Sequence, residues 1–169
     1  FISFFCFSQE KYLTKTGVLT FEASVPSFEE IKATNTNVTA VFNASNGQFA
    51  ILALVKGFRF KNALMEEHFN ENYVESELYP KATFRGSFVK LPLELAKEQE
   101  LVVKGIMDFH GVQKEMEFKV ALSFAEEILQ GTSKFSLLCS DFGIEIPKIV
   151  ADKLANAIEV QVNAKLKKL

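Results

Sequence analysis

Apolar and polar residues alternate with a period of two along stretch after stretch of this chain, and few folds accept such a pattern. Ile158, Val160, Val162, Ala164 and Leu166 alternate with Glu159, Gln161, Asn163 and Lys165. Met116, Phe118, Val120, Leu122 and Phe124 form a second set, and Leu101, Val103, Gly105, Met107 and Phe109 a third. Ala82, Phe84, Gly86 and Phe88 face away from Thr83, Arg85 and Ser87. Leu19, Phe21 and Ala23, then Val38, Ala40 and Phe42, then Phe135, Leu137 and Cys139 add three more sets. The stretch from Gln48 to Phe60, with Ile51 inside it, is more continuously apolar and reads as a central strand. Successive side chains of a strand point to opposite faces, so each set is a strand with one apolar face.

The turns agree with antiparallel neighbours. Asn46-Gly47 sits between two strand patterns, as does His110-Gly111, and both are hairpin signals. Two stretches read as short helices. Asn62 to Asn70 carries Leu64, Met65 and Phe69 at helical spacing, and Pro147 to Asn156 opens on a proline with Ile149, Val150 and Leu154 on one side. Ser27 and Glu30 have the spacing of a capping box and suggest a third short turn.

Eight antiparallel strands with one apolar face each bury those faces best as a closed barrel, which also abolishes sheet edges. The expected fold is therefore all-β: an eight-stranded antiparallel barrel with two or three short helices. A barrel of this size either fills its lumen with side chains or holds one slim ligand. The apolar faces here mix phenylalanine, 18 in the chain, with Ala23, Ala40, Ala53, Ala82, Gly86, Gly105 and Ala164. Small residues between large ones leave a channel for an acyl or prenyl tail, or else taper the packing of a filled lumen. The alternation alone leaves both open.

The rest of the composition is mainly restrictive. At 169 residues the chain fits one domain, and 48% hydrophobic with 24% charged residues is the balance of a folded protein. A net charge of −2 argues against a nucleic-acid surface. The chain holds no run of about 18 apolar residues such as a membrane helix needs. Phe1 to Phe7 is nearly all apolar and leads into Ser8-Gln9-Glu10-Lys11. We read residues 1–8 as the remnant of a secretory signal peptide, with Cys6 and Ser8 near a cleavage point, and 9–169 as the single barrel domain. A first hydrophobic strand is the alternative. Two cysteines make neither a disulfide framework nor a metal site, and Cys139 reads as a small buried apolar residue.

Catalytic chemistry leaves little trace. A phosphate-cradling glycine loop, a helical zinc motif and a Gly-x-Ser-x-Gly elbow are all missing from the sequence. His68 stands among Glu66, Glu67 and Glu71, which reads as a solvated helix end before it reads as a metal set. His110 occupies a hairpin turn, where a local polar role is expected. Arg59 and Arg85 alternate with phenylalanines and should point away from the apolar face. The sequons Asn37-Val38-Thr39 and Asn43-Ala44-Ser45 are frequent chance matches.

His68-Phe69-Asn70-Glu71-Asn72-Tyr73 followed by Tyr79-Pro80-Lys81-Ala82-Thr83-Phe84 resembles the helix, "YP" and strand segment of the YceI-like, polyisoprenoid-binding proteins. Gly105 to Lys114, with His110-Gly111-Val112 inside it, resembles the family's G-x-L-T-L-H-G-V-T-K hairpin. Asp141 to Val162, with Ile144-Glu145-Ile146-Pro147 and Ile158-Glu159-Val160, resembles its C-terminal helix and last strand. Asp108 and Gln113 replace the usual threonines, Glu115 stands where proline is common, and Thr14 to Ala23 followed by Pro26 lacks the usual opening. These departures lie at turns and at the opening end.

The resemblance implies a lipocalin-like barrel of the bacterial periplasm, or a secreted one. It also implies a long apolar amphiphile in the lumen, such as an isoprenoid quinone or a polyprenyl lipid. No catalytic residue and no cofactor is implied. Lumen positions carried over are Phe84, Phe88, Val103, Met107, Phe118, Val120 and Val160; the alternation adds Phe21, Phe42, Ile51 and Leu137. Phe28 and Ile31 of the Ser27 turn are candidates for a lid. A lipid carrier is the first expectation, with monomer and homodimer both open. A ligand-free structural or interaction module of the envelope is the second, and predicts a filled lumen. An enzyme acting on a lipid headgroup is the third; it needs a histidine at the mouth with a carboxylate partner.

Overall fold

A computed structural model describes residues 10–25, 30–90, 95–151 and 154–169. The leader expected over 1–8, the turn at Ser27 and its lid residue Phe28 lie outside the described residues.

Among the described residues nine strand segments follow one another: β1 Lys11–Ser24, β2 Lys32–Asn43, β3 Gln48–Leu54, β4 Arg59–Phe60, β5 Lys81–Phe88, β6 Gln99–Phe109, β7 Val112–Ala125, β8 Ile128–Leu138 and β9 Leu154–Lys168. The ladder runs β1-β9-β8-β7-β6-β5-β3-β2, and β1 pairs with β2, so eight strands close on themselves. All these pairings are antiparallel. β4 is a two-residue addition beside the start of β2, through Ala33↔Phe60 and Thr34↔Arg59. The barrel is closed where the chain's first and last strands meet: Leu169 donates its amide to the Lys11 carbonyl at 2.9 Å, and Lys168 pairs with Glu10 at 2.6 Å.

Alternation sets the inward face, and irregularities reset it. In β1, Lys15 and Thr16 are both exposed between buried Thr14 and buried Gly17, and the register with β2 shifts there. This is a bulge, which moves the inward phase from even to odd positions. Leu19, Phe21 and Ala23 fall in the odd phase.

Gln48 to Phe60 is not one strand. β3 stops at Leu54, a tight turn occupies Val55–Gly57, and the chain resumes as β4. Asn35, 1% exposed, holds the break: its Nδ2 donates to the Leu54 carbonyl at 3.0 Å and its Oδ1 accepts from the Asn37 amide at 2.9 Å. Gly57 leaves the space it needs, because a Cβ there would stand 2.5 Å from Asn35 Nδ2.

The expected helix over Pro147–Asn156 is also different. A short tight turn covers Lys148–Val150, and β9 begins at Leu154. Ser24↔Leu154 and Leu138↔Ala157 pair across two neighbouring strands, and those ladder bonds outweigh local helix preference. The helix at Asn62 is present as α1, Ala63–His68, continuing as a wider turn over Phe69–Tyr73. Asn62 caps it, its Oδ1 accepting from the amides of Leu64 at 2.9 Å and Met65 at 3.4 Å.

Of the two hairpins, His110-Gly111 is a two-residue turn with φ of 52° and 73°, as the mirror-image turn type requires. The β2–β3 loop is longer: Ala44 to Gly47 lies between the paired residues Asn43 and Gln48. Asn43 accepts from the Ser45 amide and Asn46 from the Gln48 amide, each at 3.0 Å.

Candidate functional site

The inward faces do not meet in the middle. They enclose a cavity of about 420 Å³ running most of the length of the barrel. Eleven phenylalanines line it, and among the described residues no Asp, Glu, Lys or Arg does. Its polar lining groups are His68, Tyr73, Thr83, Thr132, Ser133 and Cys139.

Two clusters of buried side chains form the ends. One packs Phe21, Val38, Ala53, Val55, Phe58, Val74, Phe142, Ile144 and Val160 around the mouth. Here α1 and the wider turn supply Met65, His68, Phe69 and Tyr73, and the segment after β8 supplies Cys139, Ile144 and Ile146. The other closes the floor with Tyr12, Phe42, Phe88, Val103, Leu122, Leu129 and Leu166. Phe42 meets Phe88 edge to face at 5.7 Å, and Tyr12 behind it meets Phe124 edge to face at 6.3 Å. Rings in this geometry pack at some gain beyond their burial.

The space above that floor comes from the small residues. Gly86 and Gly105 face each other across β5 and β6. A Cβ on Gly86 would stand 2.8 Å from the Phe84 ring. The Phe84 ring therefore lies down over two bare backbones, touching Phe49 at 5.5 Å and Phe118 at 5.0 Å. Ala53 and Ala82 are paired in the same wall and both line the cavity.

Phe21, Phe42, Ile51, Phe84, Phe88, Met107, Phe118, Val120, Leu137 and Val160 all line the cavity. Val103 does not. It is wholly buried, paired with Phe88 on one side and Phe118 on the other, and those larger rings take the lumen surface between them. Ile31, named as a lid residue, also lines the cavity. Alternation missed Phe58, Phe69 and Tyr73, which reach the mouth from a turn and a helix end and not from a long strand. Burial pushes the Cys139 thiol above its ordinary range, so it is held as a neutral lining group.

The histidines divide between them what a mouth-lining catalytic pair would need. His68 lines the cavity, and no hydrogen bond joins it to a carboxylate among the described residues. His110 has a carboxylate, with Nε2 3.0 Å from Glu75 Oε2 and Nδ1 2.8 Å from the Phe142 carbonyl, but it does not line the cavity. Its side chain is 10% exposed and packs edge-on to Tyr79 at 4.6 Å. It ties the β6–β7 turn to the two segments that frame the mouth, which is a structural role. Arg59 points outward, pairing with Glu66 at 3.0 Å, and Arg85 is exposed. No group of His, Cys, Asp and Glu that could hold a metal ion occurs among the described residues. Among the described residues, no helix is long and apolar enough to cross a membrane.

Known proteins share this architecture. A polyisoprenoid binding domain from Saccharophagus degradans, implicated in plant cell wall breakdown, superposes with a TM-score of 0.80 at 12% identity, over 96% of this chain and all of that one. BcnA of Burkholderia cenocepacia gives 0.72 at 12% identity, over 88% of this chain and 95% of its own. The YCEI protein of Campylobacter jejuni gives 0.64 at 13% identity, over 83% and 88%. No curated protein matches the sequence. The model of the YceI-like domain matches residues 13–166, from within β1 to within β9, and the chain belongs to the YceI-like family.

Proposed function

We propose that this protein holds one long apolar lipid of the isoprenoid class inside the barrel and carries it outside the cytoplasm. The observation that supports this is the cavity itself: about 420 Å³ of space with a phenylalanine wall and, among the described residues, no Asp, Glu, Lys or Arg side chain. That volume lies within the roughly 300–1,000 Å³ of small-molecule sites. Each methylene moved from water into such a wall contributes about 0.8 kcal/mol, so a long tail needs no polar anchor. A phosphate deep in the lumen would have no cation to pair with, and burying an unpaired charge is costly. The head of the ligand is therefore neutral, as in a quinone or a polyprenol, or stays at the mouth beside His68 and Tyr73. The Saccharophagus domain, named for polyisoprenoid binding, supports the same class.

The rival reading of a ligand-free module predicts a lumen filled by side chains, and the open cavity speaks against it. The extracytoplasmic placement rests on the apolar run Phe1–Phe7 read as a leader remnant, with 9–169 as the working domain. Native mass spectrometry of protein purified without detergent, followed by organic extraction, tests the reading. A stoichiometric adduct extracting as a long-chain apolar molecule is expected. A bare mass that persists after incubation with quinones and polyprenyl lipids overturns it.

A further inference from the structure

The barrel wall has a seam. The β7–β8 ladder runs from Ala125↔Ile128 to Val120↔Ser133 and goes no further. Beyond it, Val112–Lys119 pairs only with β6 and Lys134–Leu138 only with β9; both stretches lie wholly within the described residues. The β8 side of the seam, Lys134–Leu138, is about 16 Å long at the usual rise of a strand.

Side chains alone span this opening. The Phe118 and Phe135 rings stack across it with centroids 4.4 Å apart and planes within 15°. Ser133 Oγ donates to the Lys119 carbonyl at 2.6 Å at its apex, and Lys114 pairs with Asp141 at its wide end. Three charges on the two edges pair away from the seam: Glu117 with Lys104 and Lys119 with Glu100, both on β6, and Lys134 with Glu159 on β9. From inside, the cavity reaches the seam, which Phe118, Ser133 and Phe135 line. Phe118 and Phe135 are only partly buried.

We propose that this seam is a side portal of the cavity, gated by Phe118 stacked on Phe135, through which an apolar chain passes laterally. The proposal rests on the lipid-holding reading above. A continuous ladder could part only by stripping backbone donors and acceptors of their partners. Here that ladder is missing, and two rings turning about their side-chain torsions open the way. A long chain can then slide in sideways without threading its whole length through the mouth.

The test is a cross-link over the seam. Glu117 and Ser136 are exposed on the two edges, so the variant is Glu117→Cys with Ser136→Cys, in a Cys6→Ser, Cys139→Ala background. Half the sample is joined with a short bismaleimide and half is capped with a monofunctional maleimide. Decylubiquinone is the probe, followed by quenching of tyrosine fluorescence, because Tyr73 lines the cavity and the chain has no tryptophan. The cross-link is expected to slow uptake and release together, at least tenfold, with Kd unchanged. Equal rates in the two samples overturn the portal and leave the lipid-holding reading standing. A capped sample that takes up no probe overturns both. Hydrogen exchange gives an independent check without any variant. Peptides from Val112–Lys119 and Lys134–Leu138 should exchange faster than Val120–Ala125, and equal protection overturns the seam.

Discussion

Gly105→Ala should be among the most damaging single-methyl changes in this barrel. An ideal Cβ on Gly105 overlaps the Arg85 carbonyl oxygen and stands 2.6 Å from Gly86 Cα and 2.7 Å from the Phe84 ring. Two of these three obstacles are backbone atoms of the facing strand and cannot rotate away, so β5 and β6 must separate or Phe84 must leave its place. Forcing a methyl into a packed site costs about 1–3 kcal/mol, and this geometry belongs at the upper end. Alanine also narrows the unfolded ensemble, which returns about 0.4–1 kcal/mol. The net loss is about 2 kcal/mol, or roughly 4–8 °C in Tm for a chain of this size. Gly131→Ala is the internal control. Its Cβ would lie 3.5 Å from Leu122 Cδ2 and 3.8 Å from Val120 Cγ1, ordinary contact distances. It should be neutral or stabilising by up to about 1 kcal/mol. Urea unfolding followed by circular dichroism reads both, with unchanged m-values confirming the same transition. If Gly105→Ala is as stable as Gly131→Ala, the close approach of β5 and β6 is not what the structure describes.

Ala53→Phe fills the cavity beside Ala82, and should weaken decylubiquinone binding by about tenfold or more while the protein still unfolds cooperatively; unchanged binding would place the ligand elsewhere. Burial raises the Cys139 pKa by disfavouring the thiolate, so its labelling by a disulfide reagent should rise only at a higher pH than that of an exposed cysteine. A labelling profile matching the unfolded chain would contradict that burial. Glu126 and Glu127 form the β7–β8 turn at φ of 51° and 63°, a conformation that favours Asn-Gly. Glu126→Asn with Glu127→Gly should stabilise the protein by about 1–2 kcal/mol, read as a raised Tm, and a lowered Tm would refute the strain.

The inward faces of β5 to β9 were legible in the sequence, because a period of two leaves little choice of which side chains turn inward; in β1 and β2 only the stretch beyond the phase shift was. The His110-Gly111 hairpin was legible because few residues suit its backbone positions, and the helix after Asn62 because its apolar residues fall at helical spacing. Partnership was not legible. Met116 to Phe124 alternates without a break, yet β7 leaves β8 below Val120, since alternation reports a strand's face and not its neighbour. The break at Val55 gave no warning either, because it depends on Asn35 arriving from another strand. Nor did Lys148 and its neighbours, where pairing on both sides of β9 overrides a helical pattern. In the candidate site, parity placed Val103 inward correctly, but the size of Phe88 and Phe118 decided which side chain reaches the lumen.

The meeting of β1 and β9 governs when this protein can become itself. During synthesis β1 and β2 can pair early, since only a short connection separates them. The other edge of β1 must wait for β9, as must the outer edge of β8. Contacts between such distant parts of a chain form slowly, because the intervening loop must first be closed. Until then two bare strand edges and an apolar trough lie open together, the combination most prone to pairing with the wrong chain. Pairing of β9 with β1 and β8 covers both edges and closes the trough.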